Sequence, residues 1–443
     1  MDSSRSGLLP SSDAVEWSQV SGAFEEAASP AAASHELAAP ALSDDLGRDV
    51  YCILGMPVDA VGMATAIARI EAAAEGTAPY LVSTPNLNFL VSSLSDPEFR
   101  DSLLRSDLCT ADGMPIVWIA RMLGIPIKDR LAGSSIFDAL AARRSWKSRM
   151  GVFMFGGAEG VAEAAGRSLN DRAGSLACLG SHYPGFGTLD DMSSDEVMTA
   201  INSSEAGFLV VALGAAKGQS WLLRNHERIK VPVRAHLGAV INFQAGTIKR
   251  APSILQKTGL EWLWRIREEP RLWKRYWKDG TALLRLFATR ILPLAIHAGM
   301  NKFSAEDSQD LQVAVRQDYS SVILKLSGHG TAPQIDVATG HFRDALENAR
   351  AQIVVDLEGV TAVDQRFLGL LLMMRKSCDR VGTILKVTGA SRSVERCFRL
   401  NEADFLLSAG NRGRAAVVRE QHLPRPAPLP NPGEPEIAQG LLH

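Results

Sequence analysis

The sequence predicts an α/β protein: a parallel sheet with helices on both faces, followed by a second and smaller βα domain. Two observations lead to this prediction. Between residues 49 and 248, short apolar runs alternate with helical patterns of about 10 to 15 residues, as in parallel-sheet proteins. Beyond a polar connector at 301–310, the alternation resumes over about 100 residues. At 443 residues, the chain is long enough for two or three separate cores.

The strands of the first domain are predicted from runs that are mostly apolar, which is typical of strands buried on both faces. In chain order these runs are 50–54, 80–83, 108–110, 150–155, 176–180, 208–213 and 233–237. Residues 1–48 precede them. Because this segment is rich in Ala, Ser and Pro and has no sustained period, we expect it to be disordered.

Composition and cysteine placement argue against several classes of protein. Apolar residues make up 46% of the chain and charged residues 22%, with a net charge of −2, as in ordinary globular proteins. The five cysteines include no CxxC pair and no His at ligand spacing, so we expect neither a disulfide framework nor a zinc site. No apolar run reaches about 18 residues and no signal peptide is evident, which predicts a cytoplasmic protein without a spanning helix.

Two small polar clusters stand where predicted strands end and helices begin. The first is Thr84-Pro85-Asn86, and the second is Ala111-Asp112-Gly113. Asn86 is placed to cap the helix that follows it. Open α/β folds bind their ligands at the carboxyl ends of the strands. The hydroxyl, the amide and the carboxylate of these clusters are therefore predicted to form one site.

A third strand end carries Gly156 and Gly157, followed by an Ala-rich helix. Glycine lets the backbone approach a ligand closely, and the N–H groups at a helix start favour an anion such as phosphate. A tight turn without a ligand is the alternative interpretation. The spacing of the glycines does not decide between the two.

Residues 249–300 form a basic appendage rich in tryptophan. Between 249 and 290, eleven Lys or Arg residues stand against four acidic residues, and the aromatic residues interleaved with them are Trp262, Trp264, Trp273, Tyr276 and Trp277. Such a segment suits a membrane interface with anionic headgroups. Nucleic-acid contact and a solvated helical face are the two alternatives, and membrane contact is favoured over both. Charges and a proline interrupt the apolar stretch that follows, which favours lying on a bilayer over crossing it.

The second domain, at 311–410, shows no cluster of catalytic residue types. Its strands are predicted at 321–326, 352–357 and 384–387, and its helices at 342–349, 367–378 and 394–400. A Pro-rich tail at 411–443 follows and is expected to be mobile.

On these motifs, residues 50–280 resemble the WecG/TagA/CpsF family of bacterial glycosyltransferases. The motifs are TPN at 84–86, ADG at 111–113, RLAG at 130–133, FGG at 155–157, AGTIKRAP at 245–252 and GLEWLWRIREEPRLWKRY at 259–276. The resemblance implies a Rossmann-like domain of the GT-E type that acts in surface polysaccharide synthesis. It also implies a UDP-sugar donor, a polyprenyl-pyrophosphate-linked acceptor and inversion at the anomeric carbon. The sugar would be N-acetylmannosamine-like or uronic-acid-like.

The resemblance also implies roles for individual residues. Asp112 matches the family's presumed base, Thr84 and Asn86 would line the same pocket, and Arg130 would hold the donor's diphosphate or sugar. The appendage of the family associates with the membrane and is thought to bring Arg residues to the site. The remaining predicted substrate contacts are Gly156, Gly157, Lys217, Gln219, Arg250, Arg265 and Arg271. Because no Asp-x-Asp is found, neither a metal nor another cofactor is predicted.

The chain departs from the family pattern at two places. The usual GxPxQExW run is replaced at 214–221, where the Pro and the Glu are missing and Gly218 stands at the usual Gln. The contacts of that Gln-Glu pair are then either absent or supplied by Gln219. In addition, Asn242 stands where the family often has Asp.

Residues 311–410 resemble a STAS domain, the fold of anti-sigma-factor antagonists. Asp364 matches the family's Asp, but Gln365, Arg366 and Phe367 replace the stretch that carries the phosphorylated Ser. A phosphorylation switch is therefore not expected, and docking of a protein partner or a structural appendix remain open. The main rival to an enzyme is a membrane-associated scaffold with degenerate transferase activity that acts through this domain. An oxidoreductase is disfavoured because the GxGxxG pattern with a downstream acid is missing. Neither nucleic-acid binding nor a particular oligomer is predicted, although a homo-oligomer stays open.

Overall fold

The computed structural model describes residues 44–143, 149–252, 254–255, 258–303, 309–348 and 351–408. Most of the segment predicted to be disordered and the predicted tail at 411–443 lie outside the described residues. Residues 44–48 correct the prediction for 1–48. They are packed, because Asp45, Leu46 and Arg48 are each less than a tenth exposed.

The first predicted strand does not join the parallel sheet. β1 (Val50–Ile53) pairs with β2 (Met56–Asp59) in an antiparallel hairpin. Its two-residue turn, Leu54 and Gly55, has φ values of 48° and 83°, the conformation that reverses a strand directly. The sequence did not predict β2 because it contains Pro57, and proline weakens the signal of a strand.

Six parallel strands form the main sheet. They are β3 (Tyr80–Ser83), β4 (Leu108–Cys109), β5 (Met150–Gly156), β6 (Leu176–His182), β7 (Phe208–Ala212) and β8 (Val233–His236). Their spatial order is β4-β3-β8-β7-β5-β6, and every neighbouring pair is parallel. All residues of β3 and β8 are buried, as expected of strands inside a parallel sheet covered on both faces, although β8 includes Arg234 and His236.

Helices cover both faces of this sheet, which confirms the predicted α/β class. In chain order they are α1 (Met63–Glu75), α2 (Leu87–Ser95), α3 (Pro97–Leu104), α4 (Met114–Met122), α5 (Gly133–Ala142), α6 (Val161–Asn170), α7 (Asp195–Asn202), α8 (Ala215–Arg224) and α9 (Val240–Ala245). Side chains of α1, α5, α6 and α9 share one core with one face of the strands. Side chains of α7 and α8 share another core with the opposite face, where Phe155 stacks on Trp221 at 4.4 Å between ring centroids.

The basic appendage is helical. It contains α10 (Glu261–Glu268), α11 (Trp273–Leu286), a π-helical segment (Phe287–Ile291) and α12 (Leu292–Phe303). The last helix runs three residues into the connector predicted at 301–310. No helix in the part of the chain that the structure describes is long and apolar enough to cross a membrane.

The second domain is a four-stranded sheet with three helices. Its elements are β9 (Gln312–Gln317), β10 (Ser321–Gly330), α13 (Ile335–Asn348), β11 (Gln352–Val363), α14 (Gln365–Val381), β12 (Ile384–Thr388) and α15 (Arg392–Leu400). The spatial order is β12-β11-β10-β9, with only β9 antiparallel to its neighbour. β9 was not predicted because its sequence, QVAVRQ, is largely polar.

Helix α14 joins the two domains. It lies so close to β1 that a Cβ at Gly369 would stand 2.0 Å from the Val50 carbonyl oxygen. Val50 and Cys52 belong to the same apolar core as the buried face of α14. The Lys376 ammonium, on the same helix, donates to Asp45 Oδ1 at 2.8 Å and to Asp107 Oδ1 at 2.7 Å. The second domain is therefore packed against the first through apolar and ionic contacts.

Candidate active site

A cavity of about 930 Å³ opens at the carboxyl ends of the central strands. Its walls include residues that follow β3, β4 and β7, together with the last residue of β8. These strand ends are where the chain reverses its progression across the sheet, the place where open α/β folds bind ligands.

The two polar clusters predicted from the sequence lie side by side in this cavity. The backbone N–H of Asp112 donates to the Pro85 carbonyl at 2.8 Å, which ties the second turn to the first. Asn86 caps α2, because its side-chain oxygen accepts hydrogen bonds from the Asn88 and Phe89 backbones. Thr84, Asn86 and Asp112 therefore line one surface.

Arg130 lies in the segment just before α5, and this segment brings it to the same surface. The backbone N–H of Leu131 donates to the Ala111 carbonyl at 2.8 Å, and the Thr110 hydroxyl donates to the Leu131 carbonyl at 2.9 Å. The segment is thus fastened beside the turn that carries Asp112. At Gly133 a larger residue would require the Leu237 side chain to shift, because a Cβ would meet Leu237 Cδ2 at 2.4 Å.

The environment of Asp112 changes its acidity. Burial in the cavity wall raises the pKa of the carboxyl to about 7, and the nearby Glu261 raises it further, whereas Arg130, Arg265 and a hydrogen bond from Gly133 act in the opposite direction. A carboxylate whose pKa lies near neutrality is suited to general base catalysis, because it takes up a proton readily at the working pH.

The appendage closes over the same cavity. Glu261 of α10 forms an ion pair with Arg130. Asp279 of α11 is buried and accepts a hydrogen bond from Asn88 of α2 at 3.2 Å. Arg265 lines the cavity near the carboxyl of Asp112. The appendage therefore contributes both charge and cover to the site.

The structure brings together six of the residues predicted for the site and separates the others from it. Those that line the cavity are Thr84, Asn86, Asp112, Arg130, Gly157 and Arg265. Gly156, Lys217, Gln219, Arg250 and Arg271 do not line it. Lys217 donates to the Gly187 carbonyl, and Arg250 pairs with Asp138 beside a second, smaller cavity.

Two of these outcomes have a direct physical reason. The N–H of Gly157 donates to the Ala212 carbonyl at 2.9 Å, so the glycine pair forms a turn fastened to β7, and this N–H is not available to a phosphate. Gln219 is completely buried, and its Nε2 donates to the Ser83 hydroxyl at 2.6 Å. It therefore points into the core and does not reach a ligand in the cavity.

Asn88, His236 and Glu261 are among the side chains of the cavity wall that the sequence did not identify. Asn88 and Glu261 each pair across the space between the sheet and the appendage. A signal for Glu261 existed, because it is one of few acids in a strongly basic segment. Within the described residues, no group of three or more His, Cys, Asp or Glu side chains is placed to hold a metal ion.

Comparison with known proteins accounts for this arrangement. Residues 51–295 match the model of the glycosyl transferase WecG/TagA/CpsF family. The chain belongs to this family. Residues 313–408 match the model of the Mlab, STAS domain, so the α/β transferase domain is followed by a STAS-like domain, as predicted.

Relatives within the family carry the name N-acetylglucosaminyldiphosphoundecaprenol N-acetyl-beta-D-mannosaminyltransferase. One, from Bacillus spizizenii, is 27% identical over 201 residues, covering 44% of this chain and 73% of the relative. Another, from Staphylococcus aureus strain MW2, is 24% identical over 225 residues, covering 50% and 85%. The predicted enzyme class, a glycosyltransferase, is confirmed by the family.

Solved structures that resemble part of the chain include two of the anti-sigma factor antagonist SpoIIAA. The unphosphorylated form has a TM-score of 0.20 and 16% identity, covering 22% of this chain and 85% of that one. The phosphorylated form has a TM-score of 0.19 and 15% identity, covering 22% and 88%.

Proposed function

We propose that this glycosyltransferase moves a sugar from a UDP-sugar to a polyprenyl-pyrophosphate-linked acceptor, with inversion at the anomeric carbon. The transferred sugar is N-acetylmannosamine-like or uronic-acid-like. The observation that carries the proposal is the placement of Asp112, with its raised pKa, beside Arg130 and Arg265 in a cavity of about 930 Å³. The names of the two relatives, which specify a diphosphoundecaprenol acceptor, agree with it.

The chemistry follows from these charges. Asp112 takes the proton of the acceptor hydroxyl while the hydroxyl oxygen attacks the anomeric carbon of the donor. The bond from that carbon to the UDP oxygen breaks, and UDP leaves with the electron pair. Arg130 and Arg265 offset the negative charge that develops on the departing diphosphate. For Arg130 to do so, the donor must displace Glu261, its present partner.

The lipid part of the acceptor and the membrane fit the apolar rim of the cavity. Trp118, Trp262, Trp273, Trp277 and Leu284 all line it. Their exposed fractions are large, reaching 70% for Trp277 and 72% for Leu284. Exposed tryptophans next to basic residues bind at a headgroup interface. We therefore place the enzyme peripherally at the inner face of the cell membrane, with the appendage towards the lipid.

Asp112→Asn tests the proposed function. The amide cannot accept the proton, so transfer from a panel of radiolabelled UDP-sugars to membrane extracts is expected to fall about a thousandfold with the fold retained. Asp129→Asn is the control, because Asp129 is exposed and lies outside the cavity wall. Asp112→Asn protein that transfers sugar at the wild-type rate would remove Asp112 from the role of base. Wild-type protein that transfers no sugar from any donor would instead support the scaffold hypothesis.

A further inference from the structure

A histidine in the cavity wall has no role in the chemistry described above. His236 ends β8, lines the cavity and is 7% exposed. Its Nε2 atom is buried and finds no hydrogen-bond partner among the described residues. Buried polar atoms without a partner are rare in native proteins, because each costs free energy. Because the ring belongs to the cavity wall, a small rotation of the imidazole towards a bound ligand would give this atom its missing partner.

The imidazole of His236 occupies the space above Gly218. A Cβ at Gly218 would stand 2.1 Å from His236 Cδ2 and 3.0 Å from Nε2. Side chains at positions 218 and 236 therefore compete for one space, since α8 can carry a side chain at 218 only if the imidazole is removed or turned away. The family pattern has Gln at this position, and here the space that its side chain would enter is filled from β8.

The neighbouring Gln219 does not replace the missing glutamine. It is fully buried, its Nε2 is bound to Ser83, and it does not line the cavity. Of the side chains of Gln219 and His236, only that of His236 belongs to the cavity wall.

The charge state of His236 narrows the choice of ligand group. Burial lowers the pKa of the imidazole to about 4, so it is neutral at pH 7. A neutral imidazole forms hydrogen bonds with hydroxyl and amide groups but does not pair with a diphosphate by charge. The ring lies at the carboxyl end of β8, between the ends of β3 and β7. This position is distinct from the rim of exposed tryptophans, which is assigned to the acceptor.

We propose that His236 binds a hydroxyl or amide group of the nucleotide-sugar donor, in place of a side chain at position 218. This inference rests on the proposed function, because it requires a nucleotide-sugar in the cavity. It makes His236 a substrate-binding residue and leaves the role of base with Asp112.

The test is an exchange of side chains between the two positions. His236→Ala is expected to raise the KM for the UDP-sugar about tenfold with a smaller change in kcat, because a binding contact is lost. In Gly218→Gln/His236→Ala, the glutamine enters the vacated space, and most of the donor affinity is expected to return. His182→Ala is the matched control, since His182 ends β6 outside the cavity wall and should leave KM unchanged.

The outcomes separate the two proposals. Folded His236→Ala protein with the wild-type donor KM overturns the role of His236 and leaves the proposed function standing. Gly218→Gln/His236→Ala protein whose donor KM is no lower than that of His236→Ala also overturns the proposal for His236 and leaves the proposed function standing. Wild-type protein that transfers no sugar overturns both. If the variants do not fold, ring-nitrogen NMR of wild-type protein decides, because donor binding must shift the His236 signals and unshifted signals overturn the proposal.

Discussion

Two surfaces of the transferase domain differ in what covers them. On one side, α10 of the appendage has no buried residue among its eight, although it stands over the active-site cavity. On the other side, α14 of the STAS-like domain buries twelve of its 17 residues against its own domain and the N-terminal hairpin. The second surface is therefore covered within the chain, whereas the first leaves apolar side chains such as Trp273 and Trp277 exposed.

The charges of the two surfaces differ in the same way. At the domain contact, burial pushes the pKa of Asp45 upward, but the charges of Lys376, Arg48 and Arg380 outweigh it and hold that pKa below its usual value. In the appendage, Arg271 and Lys274 are exposed instead. Paired and buried charges hold a fixed contact, whereas exposed basic residues are available to anionic headgroups.

The largest expected effect is at the domain contact. Lys376→Met removes the buried ammonium that contacts both Asp45 and Asp107 and leaves the more exposed Arg380 as the cation they share, which is expected to lower the free energy of unfolding by about 3 kcal/mol in urea denaturation. Lys386→Met is the control, because Lys386 is exposed on β12, and its effect should stay within about 0.5 kcal/mol. Equal stability of the two variants would contradict a fixed contact between the domains.

The stretch around Gln365 and Arg366 belongs to this contact. Arg366 pairs with Asp49 at 2.9 Å and donates to the Val50 carbonyl at 3.3 Å. Both residues are less than a tenth exposed, and they replace the stretch that the STAS family phosphorylates. The absence of a phosphorylation switch, expected from the sequence, stays a prediction, and the burial of these residues supports it.

The sequence predicted strands and turns better than it predicted contacts between distant segments. The runs that became β3 to β8 are mostly apolar, with Arg234 and His236 of β8 among the exceptions, so their burial and their alternation with helices were readable. The clusters at Thr84 and Asp112 could be placed together because parallel strands present their ends at one edge. The apolar run at 367–374 of α14 indicated burial but could not say that β1 covers it.

Side-chain direction limited the prediction of the site. Lys217 and Gln219 lie on the helix that begins beside the cavity, α8, yet one side chain reaches the Gly187 carbonyl and the other the core. Which way such a side chain points depends on the partner it finds, and that partner is far away in the sequence. His236 was missed for the same reason, since its cavity contact depends on the room above Gly218.

The next effect tests the uncovered surface. Trp273→Ala/Trp277→Ala removes two exposed rings, 52% and 70% exposed, and is expected to weaken binding to anionic vesicles more than tenfold, or about 2 kcal/mol. Val381→Ala/Ile384→Ala is the matched control, because both side chains are 60% exposed but lie in the STAS-like domain. Co-sedimentation with vesicles measures both. Equal losses in the two double variants would show that any exposed apolar pair suffices.

The smallest expected effect is a difference in pH dependence between the catalytic rate and the stability of the domain contact. Asp112 acts as a base only when deprotonated, and its pKa is about 7, so kcat/KM is expected to rise about tenfold from pH 6 to pH 8, with a midpoint near 7.

The folded-state pKa of Asp45, at the domain contact, is lowered instead. The stability that this carboxylate contributes is therefore fully present above its unfolded value of 3.8, and it is lost only as pH falls below that. Over the same interval, the Asp45 contribution to the domain contact should not change, and the stability difference between wild type and Lys376→Met should stay constant. A rate that is flat between pH 6 and 8 would contradict the assignment of Asp112 as base, whereas a stability difference that varies there would show that the domain contact, too, titrates near neutrality.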